Sequence, residues 1–489
     1  MRTISHLSFF SALFFLMFAV NFSAIAKEVK MPQMHIAFTG EVNYEEYIPG
    51  TMQLIEADGM VVELPAVFKT RGTTALRYPM KPSLNMKLQD YDGNEIDFNL
   101  LGIREASSFI LDAMAIDRIC MRNRVCFDIW NDFYRLPYST DFDGRNGTKG
   151  KFVEMYINGQ YKGIYCLSDK INRKLLNLKK TQTDDSTGEV TFRGVLYKQG
   201  TNDIENQDIP GLYNGGMDYV VEWHNAWELH EPDDYPCEEV WAPLLDFYDG
   251  SHRDNYDYIK NHFYTDNLSD FTLHLMVLCI SDNWGNKNKY FSIQNIQSSG
   301  DAARFVVTPW DLDTSLGGEW DGSFFDGVYN QWTPEEIVNS AREPFAGCLR
   351  QEDFNKMLRK RWIESRYNVF SVESVTQRLR DYGNYFIESG AWKRQTDYWD
   401  DYWEKHGEGP LYVSDLDKEI ELISQWYARR FDTIDKFFNL TEEEKTGIDF
   451  IETSSEKDPT VFNLMGISIS GQPSVPGVYI INGKKICVR

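Results

Sequence analysis

This sequence lacks most of the signatures that announce common active sites. It has no C-x-x-C pair, and its seven cysteines (120, 126, 166, 237, 279, 348 and 487) are odd in number. Most lie among apolar residues, as in Tyr165-Cys166-Leu167 and Leu278-Cys279-Ile280. Buried free thiols fit them better than a disulfide framework or a metal site. Histidine is scarce, at eight residues. His224 and His230 flank an acidic, Trp-rich stretch, but no third ligand accompanies them. Neither G-x-G-x-x-G nor G-x-x-x-x-G-K-[ST] occurs, so a Rossmann fingerprint and a Walker loop are excluded. Positive charge is also short: 50 Lys plus Arg against 74 Asp plus Glu leaves −24. A surface this acidic repels nucleic acid and anionic membrane. Any phosphate site must therefore be a local basic pocket in an acidic shell.

Long apolar runs are absent too, apart from Phe9 to Val20. Asn21 and Ser23 keep that run below spanning length. With Arg2 before it and the small-x-small site Ala24-Ile25-Ala26 after it, it reads as an export signal cleaved before Lys27. The expected product is exported to the periplasm, cell surface or medium, with no membrane span in the mature chain. The remainder is long enough for one large domain with an appendage.

Residues 34 to 70 alternate apolar and polar side chains between turns, and read as strands. A basic loop follows, Arg71-Gly72-Thr73-Thr74 through Lys81-Pro82. Ser83 to Leu88 is an alternating strand with Ser83, Asn85 and Lys87 on one face; we expect Lys87 to point inward. The spacing of 107–133 predicts a helix. Val153-Glu154-Met155-Tyr156-Ile157, Asn158-Gly159 and Tyr161 to Leu167 form a hairpin, with a helix expected from Ser168-Asp169-Lys170. The acidic, aromatic stretch 201–260 suits a lid. Asn267 to Ser281 reads as an amphipathic helix, and 350–440 as largely helical. After a polar linker at 441–459, residues 460–489 read as a small β module.

The chemistry concentrates in two loops. Ser281-Asp282-Asn283-Trp284-Gly285-Asn286-Lys287-Asn288 ends the first, and Pro309-Trp310-Asp311-Leu312-Asp313 forms the second. A hairpin of Tyr290–Ile293 with Arg304–Val307 would bring them together. Asp311 and Asp313 share a face of extended chain, where two carboxylates repel unless a cation sits between them. An Asp, an Asn a few residues on, and a second Asp after a hairpin is the layout of a phosphoryl-transfer site.

The order of these pieces resembles the CotH kinase family, which has an atypical protein-kinase-like fold. The resemblance rests on Arg71-Gly72-Thr73-Thr74, on Lys81-Pro82 through Lys87, and on Asp117 with Met121-Arg122-Asn123. It continues in Asn158-Gly159-Gln160-Tyr161-Lys162-Gly163-Ile164-Tyr165, Asp282 to Asn288, and Pro309 to Gly317. It implies an α+β fold, a two-lobed kinase-like domain over 34–440 divided near residue 200, with the C-terminal β appendage. That appendage is similar to the sorting modules of exported Bacteroidetes-type proteins. The resemblance also implies ATP and Mg²⁺ (or Mn²⁺) as cofactors, with a protein or other hydroxyl-bearing acceptor. Asp282 would be the catalytic base, and Asn288, Asp311 and Asp313 the metal residues. Lys87, then Arg71, Lys81 and Arg122, would contact phosphates, and Asp169 could anchor a lysine.

Kinase loops usually place the Asn five residues after the Asp. Here Asn286 is four and Asn288 six after Asp282, so either the loop carries an extra residue or Asn283 stands at the base position. Two other readings stay open: a non-catalytic surface protein on this fold, and a carbohydrate-active hydrolase with paired carboxylates.

Overall fold

The computed structural model describes residues 29–72, 78–138, 144–199, 227–233, 237–248, 251–284, 288–319, 332–342 and 344–446. It also describes strands at 461–463, 468–469, 477–481 and 484–488. The expected export signal, the Thr73-Thr74 turn, His224, most of the expected lid and Asn286 lie outside these residues.

Helices and strands are mixed, as an α+β chain requires. The first strands, however, close into a seven-stranded barrel instead of an open lobe sheet. They are β1 (Gln33–Phe38), β2 (Ile48–Ile55), β3 (Val61–Thr70), β4 (Leu84–Leu88), β7 (Ser108–Asp112), β8 (Gly150–Ile157) and β9 (Gln160–Asp169). Their order around the barrel is β1-β2-β3-β4-β7-β9-β8. A two-stranded clip, β5 (Phe98–Asn99) with β6 (Glu105–Ala106), fills the excursion between β4 and β7. Closure comes from parallel pairing of β1 with β8, Met34 opposite Met155. It leaves no open edge to template pairing with another chain.

The alternating pattern explains the barrel's interior. Met34, Ile36, Phe68, Leu84, Met86, Phe109 and Leu167 all join one buried cluster. Lys87 lies between Met86 and Leu88, both fully buried, so it points to the barrel's outer face and not inward. At Gly50 the close approach of β1 requires glycine, since a Cβ there would lie 2.3 Å from the Ala37 carbonyl oxygen.

Two expected helices are corrected. Ser108–Asp112 is strand β7, and the helix starts only at Arg122 and runs to Phe133. The apolar run Phe109-Ile110-Leu111 is buried in a sheet, and that burial overrides the helical spacing. Likewise β9 continues through Asp169 where a helix was expected.

The second half is built on a four-stranded sheet of order β13-β12-β14-β15. Its strands are β12 (Val195–Gln199), β13 (Trp227–Glu231), β14 (Lys289–Ile293) and β15 (Phe305–Pro309). A small hairpin, β10 (Gln182–Thr183) with β11 (Val190–Thr191), precedes it. Helix Thr265–Leu278 is buried from Asn267 to Leu278. It packs on β15 and on helices Glu352–Ser365 and Leu416–Phe437. Arg430 donates from Nε, at 3.0 Å, to the Met276 carbonyl near that helix's C-terminus, where a cation is favoured. The tail forms a separate sheet, β17-β16-β18-β19, from β16 (Val461–Asn463), β17 (Ser468–Ile469), β18 (Gly477–Ile481) and β19 (Lys484–Val488).

Cys120, Cys126, Cys166, Cys237, Cys279 and Cys348 are free thiols, all but Cys237 buried. Among the described residues no helix is long and apolar enough to cross a membrane.

His274 lies wholly inside the core, its Nε2 3.0 Å from the Cys126 carbonyl oxygen. Burial pushes its pKa down to about 4, so the ring is neutral when folded and Nε2–H donates. The unfolded chain binds this proton below about pH 6.5, whereas the folded chain binds it only near pH 4. Stability should therefore fall as pH drops from 6.5 toward 4, by up to about 3 kcal/mol from this group. Urea midpoints of wild type and His274→Phe across that range measure it; the variant should show a shallower decline.

Candidate functional site

Buried asparagines bring the two loops together. Asn267, in the first turn of the central helix, accepts from Val307 N at 2.6 Å and donates to Val307 O at 3.0 Å. It thereby satisfies both backbone groups of one β15 residue. Beyond the helix, Cys279 adopts a left-handed cap and the chain turns through a short 3₁₀ segment, Ser281–Asn283. Asn283, 1% exposed, donates from Nδ2 to the carbonyls of Asn288 (2.9 Å) and Trp310 (2.6 Å). Trp310 N in turn donates to Asn288 O at 3.1 Å. The Asn283 amide is thus a structural staple. Asp282, next to it, carries the carboxylate that accepts from Asn288 Nδ2 at 2.9 Å.

Asn288 and Asp311 both have left-handed backbones, with φ of 61° and 57°. Asn and Asp tolerate this region better than other side chains, and such positions cluster at functional sites. The next residue is held from the barrel side. Leu312 N donates to Asn123 Oδ1 (3.1 Å), and Asn123 Nδ2 donates to Asp112 (3.0 Å) at the end of β7. Asp112 also accepts from Met114 N (3.1 Å) and from the Ser83 hydroxyl (3.4 Å).

The result is a concentration of negative charge. Burial holds the Asp313 carboxyl well above the usual carboxylate range, and Asp311, Asp112, Asp282 and Asp117 push it further. Among the described residues no three His, Cys, Asp or Glu side chains are spaced to hold a metal by themselves. Mg²⁺ typically takes one or two carboxylates plus substrate phosphate oxygens and keeps its waters. Asp311, Asp313 and the Asn288 amide oxygen supply hard donors of that kind.

Four cations, Arg71, Lys87, Lys170 and Lys198, lie near enough to act on one another, and Arg71 brings this group to the acidic loop. The Arg71 guanidinium lies 5.1 Å over the Trp310 ring. Lys87 pairs with Glu95 at 2.7 Å and lies 5.3 Å over Tyr47. Lys198 sits 3.5 Å from Glu228, which also takes His230 at 3.0 Å. Lys170 follows β9 directly; burial, then Lys87, Arg71 and Lys198, lower its pKa to about 8.

Two expected phosphate contacts are buried against partners of their own. Lys81 is fully buried, with Nζ on Tyr412 Oη (2.7 Å) and Ile164 O (3.1 Å), in a cage with the Tyr165 ring. Arg122, 1% exposed, pairs with Asp117 at 2.6 Å. Asp117 meanwhile accepts from Met121 N and Arg122 N, each at 2.8 Å, and so caps the helix beginning at Arg122. Both cations hold the fold together and neither is available to a ligand. Asp169 pairs with Arg145 and accepts from Lys149 N at 2.8 Å, so it anchors Arg145 and not Lys170.

The CotH kinase protein family model matches residues 68–434, about three quarters of the chain. This chain belongs to the CotH kinase family. No curated protein matches it.

In this CotH-family chain the Asn123–Asp112 link, Lys170 and Lys198 escaped the sequence reading. Asn123 was visible within Met121-Arg122-Asn123, but its partner sits on a strand that read as helix. Lys170 was hidden for a similar reason, at a strand end taken for a helix start.

Two stability outcomes follow from the geometry. Asn283→Ala removes two buried hydrogen bonds, to the Asn288 and Trp310 carbonyls, and should cost about 2–4 kcal/mol in urea unfolding. Asp313→Asn relieves like-charge repulsion and should raise the stability of the metal-free protein at pH 7 by about 1–2 kcal/mol.

Proposed function

We propose that this chain is an exported, ATP-dependent phosphotransferase that moves the γ-phosphate to a Ser/Thr or other hydroxyl of an acceptor, with Mg²⁺ or Mn²⁺. One observation carries the reading. A carboxylate–amide group (Asp282, Asn288, Asp311, Asp313) has Arg71 beside it, stacked over Trp310, and Arg71 belongs to a group of cations with Lys87, Lys170 and Lys198. That polarity suits a metal-bound triphosphate.

In this reading Asp282 takes the acceptor's proton, its carboxylate oriented by the Asn288 amide. Asn288 and Asp311 would hold the divalent ion, with Asp313 beside them. When bound, that ion supplies neutralisation of charge on the phosphates. Arg71 and Lys87 would steady the phosphate chain. The barrel would act as the nucleotide-covering lobe of a catalytic unit spanning 34–440. The stretch 441–459 would be a linker, and 460–489 an appended module for export or attachment.

A non-catalytic surface protein is the second reading. The irregular spacing of Asn286 and Asn288, four and six residues after Asp282, favours it.

Calorimetry with Mg·ATP and label transfer from γ-labelled ATP decide between them. We expect binding, and transfer reduced at least about 100-fold in folded Asp282→Ala. Asp282→Ala should keep nucleotide binding, while Asp311→Ala should lose metal-dependent binding as well as transfer. A folded wild-type chain that binds no nucleotide would leave the surface-protein reading standing.

A further inference from the structure

Strand register places a further lysine, Lys170, in the row of the phosphate candidate Lys87. Lys87 of β4 pairs with Ser108 of β7. Phe109 of β7 pairs with Asp169 of β9, so Lys170 continues the same row, opposite Ser108. Residues in one row across antiparallel strands share a face. Phe109 fills the barrel, so the Ser108 row faces outward, with Lys87 and Lys170 about 10 Å apart at the backbone. Facing them on the second sheet, Lys198 is in register with Glu228 and Tyr290. His230 lies edge-on to Tyr290.

These cations differ in how they are matched. Lys87 has Glu95, and Lys198 has Glu228. Arg71 stacks on Trp310. Lys170, among the described residues, has no carboxylate at ion-pair distance and no hydrogen-bond acceptor.

We propose that Lys170 is the principal protein contact for the nucleotide's polyphosphate chain: among the described residues it makes no ion pair, and Asp233 acts on it only at longer range. This rests on the nucleotide reading above and names the residue that carries it. Burial first, and then the nearby Lys87, Arg71 and Lys198, disfavour a charged Lys170 in the empty protein, with Asp233 offsetting part of this. An arriving polyanion removes that penalty and need not first break an ion pair. At Lys87 it would have to displace Glu95.

The test uses the full chain, with inorganic tripolyphosphate and Mg·ATP as probes in calorimetry, and thermal melting of the ligand-free protein. Lys170→Met should weaken tripolyphosphate and Mg·ATP at least about tenfold, and Lys170→Arg should recover most of the loss. Lys87→Met should weaken both by about threefold or less. Ligand-free Lys170→Met should melt no lower than wild type, and at low salt higher, because a like charge is removed. A purely structural lysine would instead lower the melting temperature. Wild type that binds both probes, with Lys170→Met binding them equally well, overturns the assignment and leaves the phosphotransferase reading intact. Binding lost together with a clearly lowered melting temperature in both Lys170 variants also overturns it. Wild type that binds neither probe sinks both.

Discussion

Two asparagine side chains hold together a group of carboxylates that would otherwise separate. Asn267 fixes the start of the central helix to β15, and Asn283 fixes the loop after that helix to the loop after β15. Each makes two hydrogen bonds to backbone in a buried site, where an unmade bond is costly. Between these two points the distance from Asp282 to Asp311 has little freedom. Burial, and then the crowded acids, hold the Asp313 carboxyl above the usual carboxylate range in consequence. A fold selected only for stability would gain by replacing one of these acids.

The barrel takes part in the same arrangement. Asp112 at the end of β7 holds Asn123, which holds the Leu312 amide. The acidic loop is therefore tied to both halves of the molecule. Arg71 adds a second tie, since it leaves β3 and lies over Trp310. Lys81 and Arg122 serve the joint differently. Lys81 crosses from the loop before β4 to Gln395 and Tyr412, and Arg122 is buried against Asp117. Their basicity is used as packing polarity, since a buried ammonium with three acceptors pins three segments at once.

Much of this was legible in the sequence, and the failures share a cause. The Asn158-Gly159 hairpin and the β14–β15 hairpin were readable because local turn chemistry and pairing coincide. The contact of Asp282 with Asn288 was not, since the spacing left Asn286 and Asn288 equally open. Nor was the barrel's closure, because β1 and β8 are separated by over a hundred residues and pair in parallel. Strand β7 read as helix because its inward and outward residues are both apolar, Phe109 and Ile110 alike being buried. With β7 misread, Asp112 and the row containing Lys170 had no visible place. Lys81 and Arg122 were read as ligand contacts because spacing cannot say whether a cation meets solvent or a tyrosine.

Strand β7 also sets the length of the cleft. Its Ser108 end lies in the row with Lys87 and Lys170, and its Asp112 end reaches the acidic loop through Asn123. Four residues of extended chain separate those ends, about 13 Å. Opposite charges are thus mounted at the two ends of one rigid strand. A short flexible anion would meet either the cations or the acids. An extended polyanion carrying a metal at one end meets both, because only then does its own cation face the carboxylates while its charge faces the lysines. In a chain with net charge −24, an unaccompanied anion would be repelled from the acidic end by everything around it. On the nucleotide reading proposed above, this arrangement would favour a metal-bound polyphosphate over a bare one.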